Sequence, residues 1–175
     1  MSKAPRAARA FETIEPADLA RLAAIAQARI DAAFDSNPVR RARYARGLLG
    51  VCLCQGAADH FVDRAASAGV HDFDIWAFFR RPPDGGSLWN RKPFTADFGP
   101  SKFGRSPLDA KKYRGRRIDV LWRDIAVGVE EDAITAIRRY FAAPPTASAR
   151  ALRRKSVVLV WPATRAGEIV WRPES

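Results

Sequence analysis

The chain is 175 residues long, enough to bury one hydrophobic core without the help of disulfides. Its 47% hydrophobic content, with five Trp and ten Phe, excludes general disorder, and no apolar run has the length of a membrane span or the setting of a secretory signal. Thirty Lys and Arg against 19 Asp and Glu leave a net charge of +11, which favours polyanionic partners over neutral ones.

From the N-terminus, residues 1–12 read as a flexible basic arm, and 13–175 as one domain with a helical extension at its start. A helix is expected from about Glu15-Pro16 to Asp35, with Leu19, Leu22, Ala26, Ile30 and Phe34 at helical spacing. Ser36-Asn37-Pro38 ends it, and Arg40 to Arg46 reads as a short basic helix or surface stretch. Leu48 to Cys54 is an apolar strand that puts Cys52 and Cys54 on one face. Two such cysteines make neither a disulfide framework nor a four-ligand zinc site; they read as buried free thiols, suited to a reducing cytoplasm. A helix from about Ala57 to Ala68 follows, with Gly69 expected to end it.

Val70 to Trp76 is the next strand, and its period of two places Asp72 and Asp74 on one face, opposite Phe73 and Ile75. Residues 80–116 form a long excursion rich in Pro, Gly and basic residues. Between Arg81 and Arg117 there are ten Lys or Arg and three Asp. Trp89, Phe94, Phe98 and Phe103 are either anchors of this excursion to the core or stacking platforms for bases. Arg117 to Trp122 is a strand with Asp119 on the face opposite Ile118 and Val120. A helix from about Glu130 to Phe141 and a strand from Ser156 to Trp161 follow, with a short edge strand over 167–171. Strands alternating with helices give an α/β or α+β fold with a small mixed sheet and flanking helices.

The ordered set Cys54-Gln55-Gly56-Ala57-Ala58, then Asp72-Phe73-Asp74, then Ile118-Asp119-Val120 resembles the core of the nucleotidyltransferase-like superfamily, in particular its minimal and toxin-associated branches. The resemblance covers roughly residues 48–125. In that superfamily a glycine-containing turn leads from a strand into a helix, the next strand carries two acids one residue apart, and a later strand supplies a third. The usual turn is Gly-Gly or Gly-Ser, where this chain has Gln55-Gly56-Ala57.

The resemblance implies transfer of a nucleotide from a nucleoside triphosphate, with Asp72, Asp74 and Asp119 as catalytic acids and ligands for Mg2+ or Mn2+. It implies that Gln55, Gly56 and Ala57 bind the triphosphate. Fold and chemistry are separate inferences. The alternatives are a catalytically inactive nucleic-acid-binding protein on the same body, taking RNA or single-stranded DNA, and a toxin or antitoxin component whose basic face docks an acidic protein or RNA. A nucleotide partner, no membrane partner and a cytoplasmic location are expected. His60 and His71 are too few for a zinc site.

Overall fold

The computed structural model describes residues 8–90 and 92–173. It is a small α+β domain in which a six-stranded mixed sheet is flanked by helices. The first helix, α1 (Pro16–Asp35), starts where expected, with Pro in its first turn and the Glu15 N–H donating to Asp18 Oδ2 at 2.8 Å. Its stripe of Leu19, Leu22, Ala26, Ile30 and Phe34 is buried. Asn37 then caps the short α2 (Pro38–Tyr44) by accepting from the Arg40 N–H.

Strand β1 (Leu48–Cys54) leads directly into α3 (Gln55–Val62). The remaining elements are β2 (Phe73–Arg80), β3 (Phe94–Asp97), β4 (Arg117–Ile125), α4 (Ala133–Ala142), α5 (Ala147–Leu152), β5 (Val157–Trp161) and β6 (Ile169–Trp171). The sheet order is β3-β4-β2-β1-β5-β6; β2 and β4 run parallel and every other pair is antiparallel.

Alternation sorts the side chains into two cores. Val51, Leu53, Phe73, Ile75, Phe79, Val120 and Trp122 meet α1 and α3 on one face. Leu49, Cys52, Cys54, Trp76, Phe78 and Leu159 meet α4 and α5 on the other. Both cysteines are buried and free. Among the described residues no helix is long and apolar enough to cross a membrane.

Several boundaries depart from those expected. Helix α3 stops at Val62, short of Ala68, because Asp63 leaves helical geometry and its carboxylate caps the Ala66 N–H in a following turn. Gly69, in place of ending a helix, holds a left-handed backbone in a loop where a Cβ would lie 2.8 Å from the Ala10 carbonyl. The strand with the paired acids begins at Phe73, so Asp72 lies just before it. Helix α4 begins at Ala133, with Asp132 as its cap, which leaves Glu130 and Glu131 outside. Strand β3 lies in the segment read as the long excursion, and helix α5 in a stretch between Pro145 and Ser156 for which no element was expected.

Residues 1–7 of the expected arm fall outside the described residues. Ala8 and Ala10 are buried, and Ala10 bridges Val70.

The excursion after β2 is organised by Asp97. Its carboxylate accepts the N–H groups of Gly99 at 2.9 Å, Arg114 at 2.8 Å and Gly115 at 2.9 Å, so one side chain closes both ends of the loop between β3 and β4. Phe98 and Phe103 from this loop pack on Phe73, with ring centroids 4.9 and 5.4 Å away; they are anchors. Asn90 adds to the edge of β4 between its pairings with Trp89 and with Phe94: its side-chain amide donates to the Val120 carbonyl and accepts from the Trp122 N–H. Asp97→Asn replaces one accepting oxygen by a donor facing a backbone N–H. It is expected to lower unfolding free energy by about 1–3 kcal/mol, read as a reduced urea midpoint; an unchanged midpoint would remove the clasp role.

Candidate functional site

Parallel pairing sets Asp74 of β2 directly beside Asp119 of β4, and on the other side Asp74 faces Cys54 of β1. Both carboxylates leave the face that carries α4 and α5, beyond the part those helices cover. Asp72, one residue before β2, joins them through Arg117. The Arg117 Nη2 lies 3.2 Å from Asp72 Oδ2 and 3.0 Å from Asp119 Oδ2. The three acids that sequence reading grouped therefore meet at one end of the β2/β4 pair, around a guanidinium.

The electrostatics follow from this crowding. Asp74 is half-buried, and burial, with Asp72 and Asp119 nearby, raises its pKa to about 7 against a weaker opposing pull from Arg117. Asp119 is raised as well, through burial first, with the Arg117 charge opposing. Burial pulls the Arg117 guanidinium down, and Asp119 and Asp72 outweigh it. Asp119 Oδ1 is buried with no hydrogen-bond partner, and so is the Arg117 Nε. The site holds more acceptor capacity than its own donors satisfy.

The turn into α3 sits beside Asp74, because Cys54 is its register partner. Its left-handed residue is Gln55, with φ of +59°, an uncommon backbone for a residue with a Cβ. Gly56 is not left-handed, and a Cβ there would meet no atom within 4 Å. Neither the turn nor packing demands glycine at 56; the space over it is open.

No protein-family model matches the chain, and none of the curated proteins or solved structures compared with it is similar. The site is therefore read from its own geometry.

Among the described residues no group of three or more His, Cys, Asp or Glu stands in an arrangement that would hold a metal ion. The Arg117 guanidinium takes the position between Asp72 and Asp119. His60 is away from the acids: its ring is buried and bonded to Ser67 Oγ and, at 2.8 Å, to the Glu12 carbonyl. The residue that sequence reading passed over is Arg117. Its signal was available, since it precedes Asp119 by two and the strand period returns both to one face.

Because the folded pKa of Asp74 lies above the ordinary carboxylate value, the folded state binds more protons between about pH 4 and 7. Its contribution to stability is full below that window and is lost as pH rises through the folded pKa of about 7. Asp74→Asn keeps the volume and removes the titration. Wild type is expected to lose urea resistance between pH 5 and 7.5 more steeply than the variant. Parallel pH profiles for the two proteins would show that the proton on Asp74 does not matter to folding.

Proposed function

We propose that this chain is a metal-dependent nucleotidyltransferase that moves a nucleotide from a nucleoside triphosphate to an acceptor. The observation that carries the reading is the level meeting of Asp74 and Asp119 on parallel strands with Asp72 alongside, in a site whose Asp119 Oδ1 is buried and unpartnered. The strand order β1-β2-β4, with the turn at Gln55, Gly56 and Ala57 next to Asp74, supports it further.

The donor chemistry, three carboxylates and all oxygen, suits a hard divalent cation that relieves their mutual repulsion, although the acids where they stand do not form a metal-holding group. As placed, Arg117 supplies part of that relief, so the acids gather around a metal only when Arg117 turns away toward solvent or toward a phosphate. Mg2+ or Mn2+ would be held by Asp72, Asp74 and Asp119 and would bring Lewis-acid charge against the triphosphate oxygens.

The chain's own residues do the rest. Asp72 and Asp74 orient the triphosphate side of the site. Asp119, with raised proton affinity and an unpartnered oxygen, accepts the proton of the attacking hydroxyl as the hydroxyl oxygen bonds the α-phosphorus and the bond to the departing pyrophosphate breaks. Arg117, released from the carboxylates, neutralises phosphate charge. The open space over Gly56 lets phosphate approach the amides at the start of α3.

Nucleic-acid binding without transfer remains the second reading. It is favoured by Lys92, Lys111, Lys112 and Arg114, which are exposed and hold no ion pair among the described residues. It predicts association with RNA or single-stranded DNA that weakens as salt rises.

Two measurements decide. In Mn2+ titrations, Asp72→Asn and Asp74→Asn are expected to bind at least about tenfold more weakly, whereas Arg117→Gln binds more tightly because two carboxylates are freed. Equal titrations across all four proteins would dismiss the metal role. In a panel of labelled nucleoside triphosphates with pooled RNA, DNA and protein acceptors, wild type is expected to add one nucleotide mass. Asp119→Ala should reduce that rate by on the order of a hundredfold or more. Folded wild type that labels no acceptor, while binding RNA in a salt-dependent way, would leave the binding reading standing alone.

A further inference from the structure

The face that carries the three carboxylates holds a concave feature at the opposite end of β4. A cleft of about 680 Å³ opens there, lined by Trp89, Arg123, Tyr140, Thr146 and Ser148 among others, a size suited to a small organic ligand. Arg123 follows Asp119 by four residues on one strand, so both side chains leave the same face about 13 Å apart. An isolated antiparallel bridge draws Trp89 alongside Arg123, and Trp89 stays 54% exposed.

Arg123 is the unusual group. It is only 9% exposed, its guanidinium carbon sits 4.9 Å from the centre of the Trp76 ring, and its Nη1 donates to Thr146 Oγ1 at 3.1 Å and Ser148 Oγ at 3.2 Å. Those partners are neutral, and among the described residues Arg123 holds no ion pair. The adjacent Asp124, which lines the same cleft together with Arg81 and Leu88, has its carboxylate taken by Arg81 at 3.1 Å and by the Leu88 N–H at 3.0 Å. Arg123 Nε is buried with no partner. The Tyr140 hydroxyl lies close to Thr146 and Arg123 without a hydrogen bond of good geometry to either.

A buried cation without a counter-charge is costly, and an incoming anion removes the cost. The fork of a guanidinium matches phosphate oxygens, and the unpartnered Tyr140 hydroxyl, with whichever of the mutually bonded Thr146 and Ser148 hydroxyls is not donating to the other, adds further donors. Beside them the exposed Trp89 indole offers a flat apolar surface of the kind on which bases stack. Charge alone would admit any small anion; the indole next to it selects one that carries a planar ring.

We propose that this cleft binds a nucleotide unit, with its phosphate on Arg123 and its base against Trp89. Binding there uses none of the three carboxylates, so it stands apart from the transfer reading. Where both hold, the occupant lies along β4 from the acids, in the direction from which an acceptor end would reach Asp119.

The test is fluorescence titration in EDTA, without triphosphate, using uridine monophosphate, hexauridylate and uncharged uridine. Both phosphate-bearing ligands are expected to quench tryptophan emission, and uridine to bind at least tenfold more weakly. Hexauridylate binding tenfold or more tightly than the monophosphate identifies a strand as the occupant; equal affinities identify a free nucleotide. Trp89→Ala, at an exposed position that does not threaten the fold, should weaken binding at least fivefold, read by titration calorimetry alongside wild type because the reporting indole is removed. Arg123→Gln, which keeps a donor for Thr146 and Ser148, should weaken it at least tenfold and erase the difference between nucleotide and nucleoside. Uridine binding as well as its monophosphate, or Trp89→Ala binding like wild type, would overturn the proposal whatever the outcome of the transfer assays.

Discussion

The parallel pairing of β2 with β4 is the constraint on which the rest of the molecule depends. Parallel neighbours cannot be joined by a tight turn, so the chain must travel back to the start of the sheet before β4 can begin. Among the described residues it does so without a crossover helix. It descends along the outer edge of β4, first as the Trp89 bridge and then as β3, before turning into β4 itself. Strand β4 is thereby inserted between β2 and β3. The excursion of mostly polar chain is ordered because its few apolar groups are placed well: Phe98 and Phe103 against Phe73, with Asp97 closing the loop they belong to.

That same pairing puts Asp74 and Asp119 at one level, and alternation puts both on one face. Burial raises the proton affinity of both, Asp72 adds to it in each case, and the sequence answers with Arg117, two residues before Asp119 on the same face. The guanidinium relieves the repulsion only in part, since Asp74 still has a pKa near 7 and Asp119 Oδ1 has no donor. A site built for stability alone would satisfy that oxygen or replace the acids by apolar groups. The residual imbalance is what a charged ligand can use.

Strongly periodic segments were legible in the sequence. Helix α1 was plain because a stripe of five apolar residues and a proline at its start agree, and β1, β2 and β4 because apolar runs and alternation are local signals. Strand β3 was not legible: four residues, Phe94 to Asp97, become a strand only because β4 lies beside them, and pairing across a long loop leaves no local trace. Helix α3 ends early where Asp63 leaves helical geometry and caps the Ala66 N–H, and the turn that follows brings Ser67 against the buried His60. The acids were legible through their period of two. Trp89 was not separable from Phe98 and Phe103, because composition makes all three aromatics among basic residues, while burial makes two of them core and leaves the first exposed.

The basic character of the chain resolves in the same way. Charge counted along 81–117 suggests a continuous polyanion surface, yet many of these cations have internal work. Arg116 is buried and donates to the carbonyls of Ala8, His71 and Phe103, Arg81 pairs with Asp124, and Lys102 pairs with Glu15 and Asp18. Arg117 sits among the acids. Lys92, Lys111, Lys112 and Arg114 are left exposed, and Arg123, outside that stretch, is left buried without a counter-anion. An exposed lysine is solvated and needs no partner, so it contributes long-range attraction that salt screens. A buried guanidinium has lost its water and gains most from a specific anion. The residue that sequence charge weights least is therefore the one where position gives a single positive charge the greatest selectivity, on the same strand and the same face as Asp119.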